Sequence, residues 1–149
     1  MNIPVQHDGD FVLTVSGSKD FGEISVELAE KSKRQAGKIR LRIGRQQNDV
    51  GDYGEKHIER PERLLQLRRA GFDNARDFVA YTCTHFDELY ASGKRLILTN
   101  RDGGYTCVIE LKPFDDEECY DVITALISRR KSIEHKAAKE KIRLLWQKP

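Results

Sequence analysis

The stretch Arg95-Leu96-Ile97-Leu98-Thr99-Asn100-Arg101-Asp102-Gly103-Gly104-Tyr105-Thr106-Cys107-Val108-Ile109-Glu110-Leu111 decides the fold class. Two apolar runs, Arg95 to Thr99 and Tyr105 to Leu111, flank a five-residue segment rich in Asn, Asp and Gly, and that spacing predicts a β-hairpin. Cys119 to Ala125 reads as a third strand and Ile142 to Trp146 as a last short one. Working back, Lys38 to Ile43 alternates: Ile39, Leu41 and Ile43 point one way, Lys38, Arg40 and Arg42 the other, as in a strand with one buried and one cationic face. Phe11 to Val15 is a further strand, stopped at Ser16-Gly17-Ser18.

Between the strands the period changes to that of helices. Ile24 to Gln35 has Glu23 and Glu27 at its start and Lys31, Lys33 and Arg34 at its end, a polarity that complements the helix dipole. After a polar loop from Gly44 to Lys56, Pro61 opens a helix with Leu64, Leu65 and Leu67 on its apolar side. Asn74 caps a longer helix predicted to run through Tyr90, with Gly93 closing it. Helices early and an antiparallel meander late predict an α+β domain, with helices packed on one face of a sheet.

Length and composition agree. The chain has 149 residues, 38% hydrophobic and 34% charged, enough for one domain with its own core. Residues 1–10 read as a polar leader and 11–149 as a single domain. No apolar run approaches a membrane span, and the N-terminal residues lack a signal-type apolar stretch, so a soluble, cytoplasmic protein is expected. Cys83, Cys107 and Cys119 are odd in number and form no metal-binding spacing; buried thiols in a reducing compartment are expected, with neither metal nor cofactor.

Charge is segregated. Lys31 to Arg45 carries seven basic residues and no acid, and Arg129 to Lys148 carries a local net charge of +6. Glu110 to Asp121 holds six acids between them. Two cationic tracts on one surface would favour a polyanion.

Of the four histidines, His57 stands out. It follows the glycine-rich loop Gly51-Asp52-Tyr53-Gly54-Glu55-Lys56 and precedes a helix, and an imidazole can exchange a proton at neutral pH. A helix-capping or packing histidine is the competing account. Thr124 lies in a strand just before Arg129-Arg130-Lys131, where a hydroxyl and guanidinium groups could grip a phosphate.

These residues fall into a familiar order. Asp20-Phe21-Gly22-Glu23-Ile24, Arg34-Gln35-Ala36-Gly37-Lys38-Ile39-Arg40-Leu41 and Gly54-Glu55-Lys56-His57-Ile58-Glu59 resemble segments of phage and prophage nuclease-like domains of the barnase–EndoU–colicin–RelE (BECR) group. Gly71-Phe72, Phe78-Val79, Phe86-Asp87-Glu88-Leu89-Tyr90, Val122-Ile123-Thr124-Ala125 and Leu144-Leu145-Trp146 fit the same pattern, which covers the chain from about Phe11 onward. The resemblance implies helices packed on one face of a four- to five-stranded antiparallel sheet. It also implies metal-independent RNA cleavage through attack of the 2′-hydroxyl, leaving a 2′,3′-cyclic phosphate. His57, Thr124, Arg129 and Arg130 would then be catalytic, and Lys38, Arg40, Arg42, Lys56, Arg60 and Lys131 would bind substrate. Relatives often carry a second histidine shortly after the first; this chain has Arg60-Pro61-Glu62-Arg63 there.

The expected function is thus an endoribonuclease of toxin or phage-effector type. Its partners would be RNA, tRNA included, and an acidic cognate inhibitor. The alternatives are a non-catalytic nucleic-acid-binding phage protein and a protein-docking module.

Overall fold

A computed structural model describes residues 3–115 and 117–149. The N-terminal segment forms a small hairpin of β1 (His7–Asp8) and β2 (Phe11–Val12), and the chain continues through β3 (Gly22–Ile24), α1 (Val26–Ser32) and β4 (Gly37–Arg40). Three helices follow: α2 (Gly54–Ile58), α3 (Pro61–Arg69) and α4 (Ala75–His85). The remainder is β5 (Glu88–Ser92), β6 (Arg95–Thr99), β7 (Tyr105–Phe114), β8 (Glu117–Ile127), α5 (Arg130–Ala138) and β9 (Arg143–Gln147).

Local chemistry explains several of these bounds. The Ser25 side chain accepts from the Leu28 amide at 3.1 Å and starts α1. That helix stops short of Gln35 because Lys33 turns left-handed, at φ 57°, and its N–H closes on the carbonyls of Ala29 and Glu30. Asn74 caps α4 as expected, its oxygen accepting from the Asp77 amide at 2.9 Å. However, α4 ends at His85, and Glu88 to Tyr90, expected as its last turn, open the strand Glu88–Ser92. Glu88, Leu89, Tyr90 and Ala91 are all buried, so this strand has no polar face and lacks the alternation that would have revealed it.

The sheet corrects the expected fold class. Instead of a four- to five-stranded antiparallel sheet, seven strands pair in the order β3-β4-β8-β7-β6-β5-β9, and β1 and β2 form a separate pair. The sheet is mixed, because β4 runs parallel to β8 through Ile39–Tyr120 and Arg40–Asp121. A parallel pair needs a long crossover, and the whole stretch from α2 to β7 supplies it. Two strands of this sheet were not expected, the buried β5 and the edge β3; the other edge, β9, lies where Ile142 to Trp146 was read as a strand, while Phe11 to Val15 gives only β2, outside this sheet. The sheet curls, so that α1, which follows edge strand β3, packs on the opposite edge β9.

Helices α2 and α3 pack on β8, and α4 lies over β6, β7 and β8 and against β3. The main core joins Phe21, Ile24, Ile39, Leu41, Ile58, Leu67, Phe78, Leu89, Leu98, Ile109 and Val122, each almost fully buried. Such burial is worth roughly 1.5–3 kcal/mol per large side chain. A smaller cluster of Tyr90, Ile133 and Ile142 fastens α5 to the other side. The three cysteines are free and buried, and burial raises the Cys107 thiol well above its ordinary value.

Candidate functional site: an imidazole under an arginine

The loop between β4 and α2 folds back on itself. Arg45 and Tyr53 exchange backbone hydrogen bonds of 3.0 and 3.3 Å. Gly44 and Gly54 sit at the crossing with φ of 74° and 80°; a Cβ on Gly44 would lie 1.9 Å from the Tyr53 carbonyl oxygen. Glycine is therefore required by both conformation and space. Asp52, buried in this loop, accepts from the amides of Gln47 and Asn48's neighbour Asp49 at 2.9 and 3.2 Å. Burial alone would raise its pKa, but these amides outweigh it and hold the carboxyl below its ordinary value.

This braced loop delivers α2, whose first amides are taken by β4's continuation: Glu55 N–H donates to the Arg42 carbonyl and Lys56 N–H to that of Ile43, each at 2.9 Å. Ile58 plugs the core, and His57 is left half-buried within α2 rather than ahead of the next helix.

His57 Nδ1 lies 2.7 Å from Gln46 Oε1, while Gln46 Nε2 donates to Asn48 Oδ1 at 2.9 Å. With Gln46 Oε1 as the acceptor, Nδ1 carries the proton and Nε2 is the basic nitrogen of the ring. One Arg60 terminal nitrogen donates to the His57 carbonyl at 2.7 Å and lies 3.4 Å from both ring nitrogens. Equal distances of that size put the guanidinium over the ring face, since an in-plane approach would collide with Cε1. Burial lowers the His57 pKa from its ordinary 6.5; Arg60 and Arg63 push it further down and Asp52 opposes them. The imidazole is thus neutral at pH 7.

Arg63 extends the cluster to the sheet. Its guanidinium donates to the Ala125 carbonyl and approaches Thr124 Oγ1 at 3.4 Å. A register shift between Val108 and Ile109 of β7, opposite residues 122–124 of β8, lets Val122 and Ala125 both face the core and leaves Thr124 half-exposed. Burial, then Arg60, pull the Arg63 pKa down to about 10. Among the described residues no carboxylate lies within 4.0 Å of the Arg63 guanidinium.

The structure thus groups His57, Arg60 and Thr124, and adds Gln46 and Arg63, which sequence reasoning did not single out. The only signal was that His57, Arg60 and Arg63 recur every three residues, but the helix breaks at Arg60, between α2 and α3, so no single helical face carries them.

Other expected site residues are placed elsewhere. Arg129 and Arg130 stand beside the turn at residues 100–104, where Arg130 forms a two-pronged pair with the buried Glu88, and Lys131 is exposed. The cationic face of β4 is matched by acids. Lys38 meets Glu23 at 3.1 Å, and Arg40 meets Asp20 at 3.1 Å and Glu117 at 2.8 Å. Arg42 grips the fully buried Asp121 at 2.7 and 3.1 Å, with its guanidinium 4.2 Å from the Tyr53 ring centre. Lys56 is exposed. Of the other histidines, His7 pairs with Glu55 at 3.0 Å, His85 stacks on Tyr81 and His135 is exposed.

Among the described residues, no helix is long and apolar enough to cross a membrane, and no three His, Cys or carboxylate side chains are grouped to hold a metal ion. Compared with protein-family models, with curated proteins and with solved structures, the chain matches none.

Proposed function

We propose that the His57 cluster is the active site of a metal-independent endoribonuclease, acting in a bacterial cytosol as a toxin or phage effector. The seven-stranded mixed sheet departs from the one the BECR resemblance implies, so the proposal rests on the cluster itself. The observation that carries it is a half-buried imidazole held at Nδ1 by Gln46, with the Arg60 guanidinium over its ring and Arg63, near enough to lower its pKa, reaching Thr124 without a carboxylate partner among the described residues. Arg60 is paired with Glu62 at 3.6 Å, so Arg63 is the cation left for an anion; a base beside such a cation is what attack of a hydroxyl on a phosphodiester requires.

In this reaction His57 Nε2 takes the 2′-hydroxyl proton as the oxygen bonds to the adjacent phosphorus. The bond to the 5′-oxygen breaks, and that oxygen takes up a proton from water. Arg60 and Arg63 stabilise the charge growing on the phosphorane, and the Thr124 hydroxyl donates to a non-bridging oxygen. A donor aimed at developing charge is worth about 3 kcal/mol. DNA is not a substrate, because it lacks the nucleophile. An inhibitor covering this site would be acidic.

The test is incubation of purified protein with total RNA and tRNA in chelator, with analysis of product ends. Cyclic phosphates from the wild type and none from a folded His57→Ala variant are expected; an active variant would overturn the assignment. A second reading, nucleic-acid binding without cleavage, is favoured by one feature: the cluster as described holds a single imidazole and no second side chain that titrates near neutrality. Salt-sensitive RNA binding with no products under any condition would select it.

A further inference from the structure

The two basic tracts do not meet at the His57 cluster, but they do meet elsewhere. Arg34, just beyond α1, belongs to the first tract; Lys141 and Arg143 belong to the second. All three line a cleft of about 760 Å³ with Ala91, Ile142 and Leu144. Arg34 and Gly93 also line a neighbouring cleft of about 530 Å³, together with the exposed Lys94 and with Leu96, Leu111 and Tyr120. The shared residues make the two clefts one trough, with an apolar floor and cationic walls.

These cations differ from those on β4. Among the described residues none of Arg34, Lys94, Lys141 and Arg143 forms an ion pair. Two acids reach the trough: Glu110, which is engaged by Arg95 at 3.2 Å, and Glu140. Lys112, also on its wall, is held by Asp121 at 3.4 Å. Four cations without ion pairs, set against the one free carboxylate among the described residues there, that of Glu140, leave the concavity net positive, and a chain of anions relieves the remaining repulsion. The apolar floor suits sugars and bases, and the spaced cations suit successive phosphates.

We propose that this trough binds the phosphodiester backbone of single-stranded RNA, with Arg34, Lys94, Lys141 and Arg143 as its phosphate contacts. Its ligand rests on the ribonuclease reading, but its residues are separate from the His57 cluster, so the two fail separately.

The experiment measures anisotropy of a fluorescein-labelled single-stranded RNA, titrated with the His57→Ala protein across a salt series. That background is compared with the same protein carrying Arg34→Gln, Lys94→Gln, Lys141→Gln and Arg143→Gln. Each phosphate contact to a single strand adds about 0.7 to the slope of log K against log salt, so loss of four should make the slope shallower by about 3. Affinity at low salt should fall more than tenfold. An unchanged slope overturns the proposal. Should the fourfold variant not fold, Lys94→Gln with Arg143→Gln, both exposed, should lower the slope by about 1.4; no change there is equally fatal. Poly-glutamate binding more tightly than RNA would overturn it in favour of an acidic protein partner. If RNA binds with this slope yet wild-type protein never cleaves it, the trough stands and only the catalytic assignment falls.

Discussion

At the residue scale the decisive group is the Arg60 guanidinium over the His57 ring. Burial and two nearby cations hold the folded pKa of His57 below 6.5, so its base form is already dominant at neutral pH. Cleavage should therefore hold level near pH 7 and fall as pH drops through a midpoint below 6.5. Arg60→Ala removes one of the causes and should move that midpoint upward. Titration of the His57 ring Cε1–H by NMR gives the same pKa without needing activity, and a wild-type midpoint at or above 6.5 contradicts the arrangement. Arg63→Ala should lower the cleavage rate by about 10²–10³-fold, the usual loss for a donor aimed at developing charge. Thr124→Val keeps the shape of its side chain and should cost less, since it removes one hydroxyl contact. A rate assay on both variants, with circular dichroism as the folding control, separates the two roles.

At the element scale, the β4–α2 loop positions both Gln46 and His57, and its geometry depends on two glycines. Gly44→Ala would place a methyl carbon against the Tyr53 carbonyl in a left-handed conformation. The strain alone costs about 1–3 kcal/mol. The expected outcome is a lower thermal midpoint together with a His57 pKa nearer its ordinary value, because the loop no longer holds the ring in place. An unperturbed ring resonance in a folded Gly44→Ala protein would show that α2 is held without the loop. The ends of α1 and α4 carry a related lesson. Asn74 was legible as a cap because capping is local chemistry, whereas the left-handed turn at Lys33 and the buried β5 were not. A fully buried strand loses the polar-apolar alternation that identifies one.

For the whole molecule, α5 and β9 close the structure around β5. Glu88 is 1% exposed and is met by Arg130, with Arg101 more distant at 3.8 Å. Arg130→Ala should destabilise the fold by about 3 kcal/mol in urea unfolding, because it leaves a buried carboxylate short of its main partner. Glu88→Gln with Arg130→Gln, which removes both charges, should cost less. If Arg130→Ala instead abolishes cleavage at full stability, Arg130 serves the reaction rather than the packing of α5.

The chain's own order of residues determined the hairpin at residues 95–111, the helix opened by Pro61, the Asn74 cap and the inward face of β4. Each of these is set by contacts within a few positions, through turn chemistry, capping and periodicity. Only the tertiary structure decided that β4 would lie parallel to β8, that seven strands would share one sheet, and that Arg63 would reach Thr124 across 61 positions. It also decided which cations are neutralised: strand register brings Asp121 to Arg42 and Glu23 to Lys38, while folding gathers Arg34, Lys141 and Arg143 around one cleft. A charge's effect depends on what lies within a few ångströms of it in space, and for distant segments that separation is created by the fold.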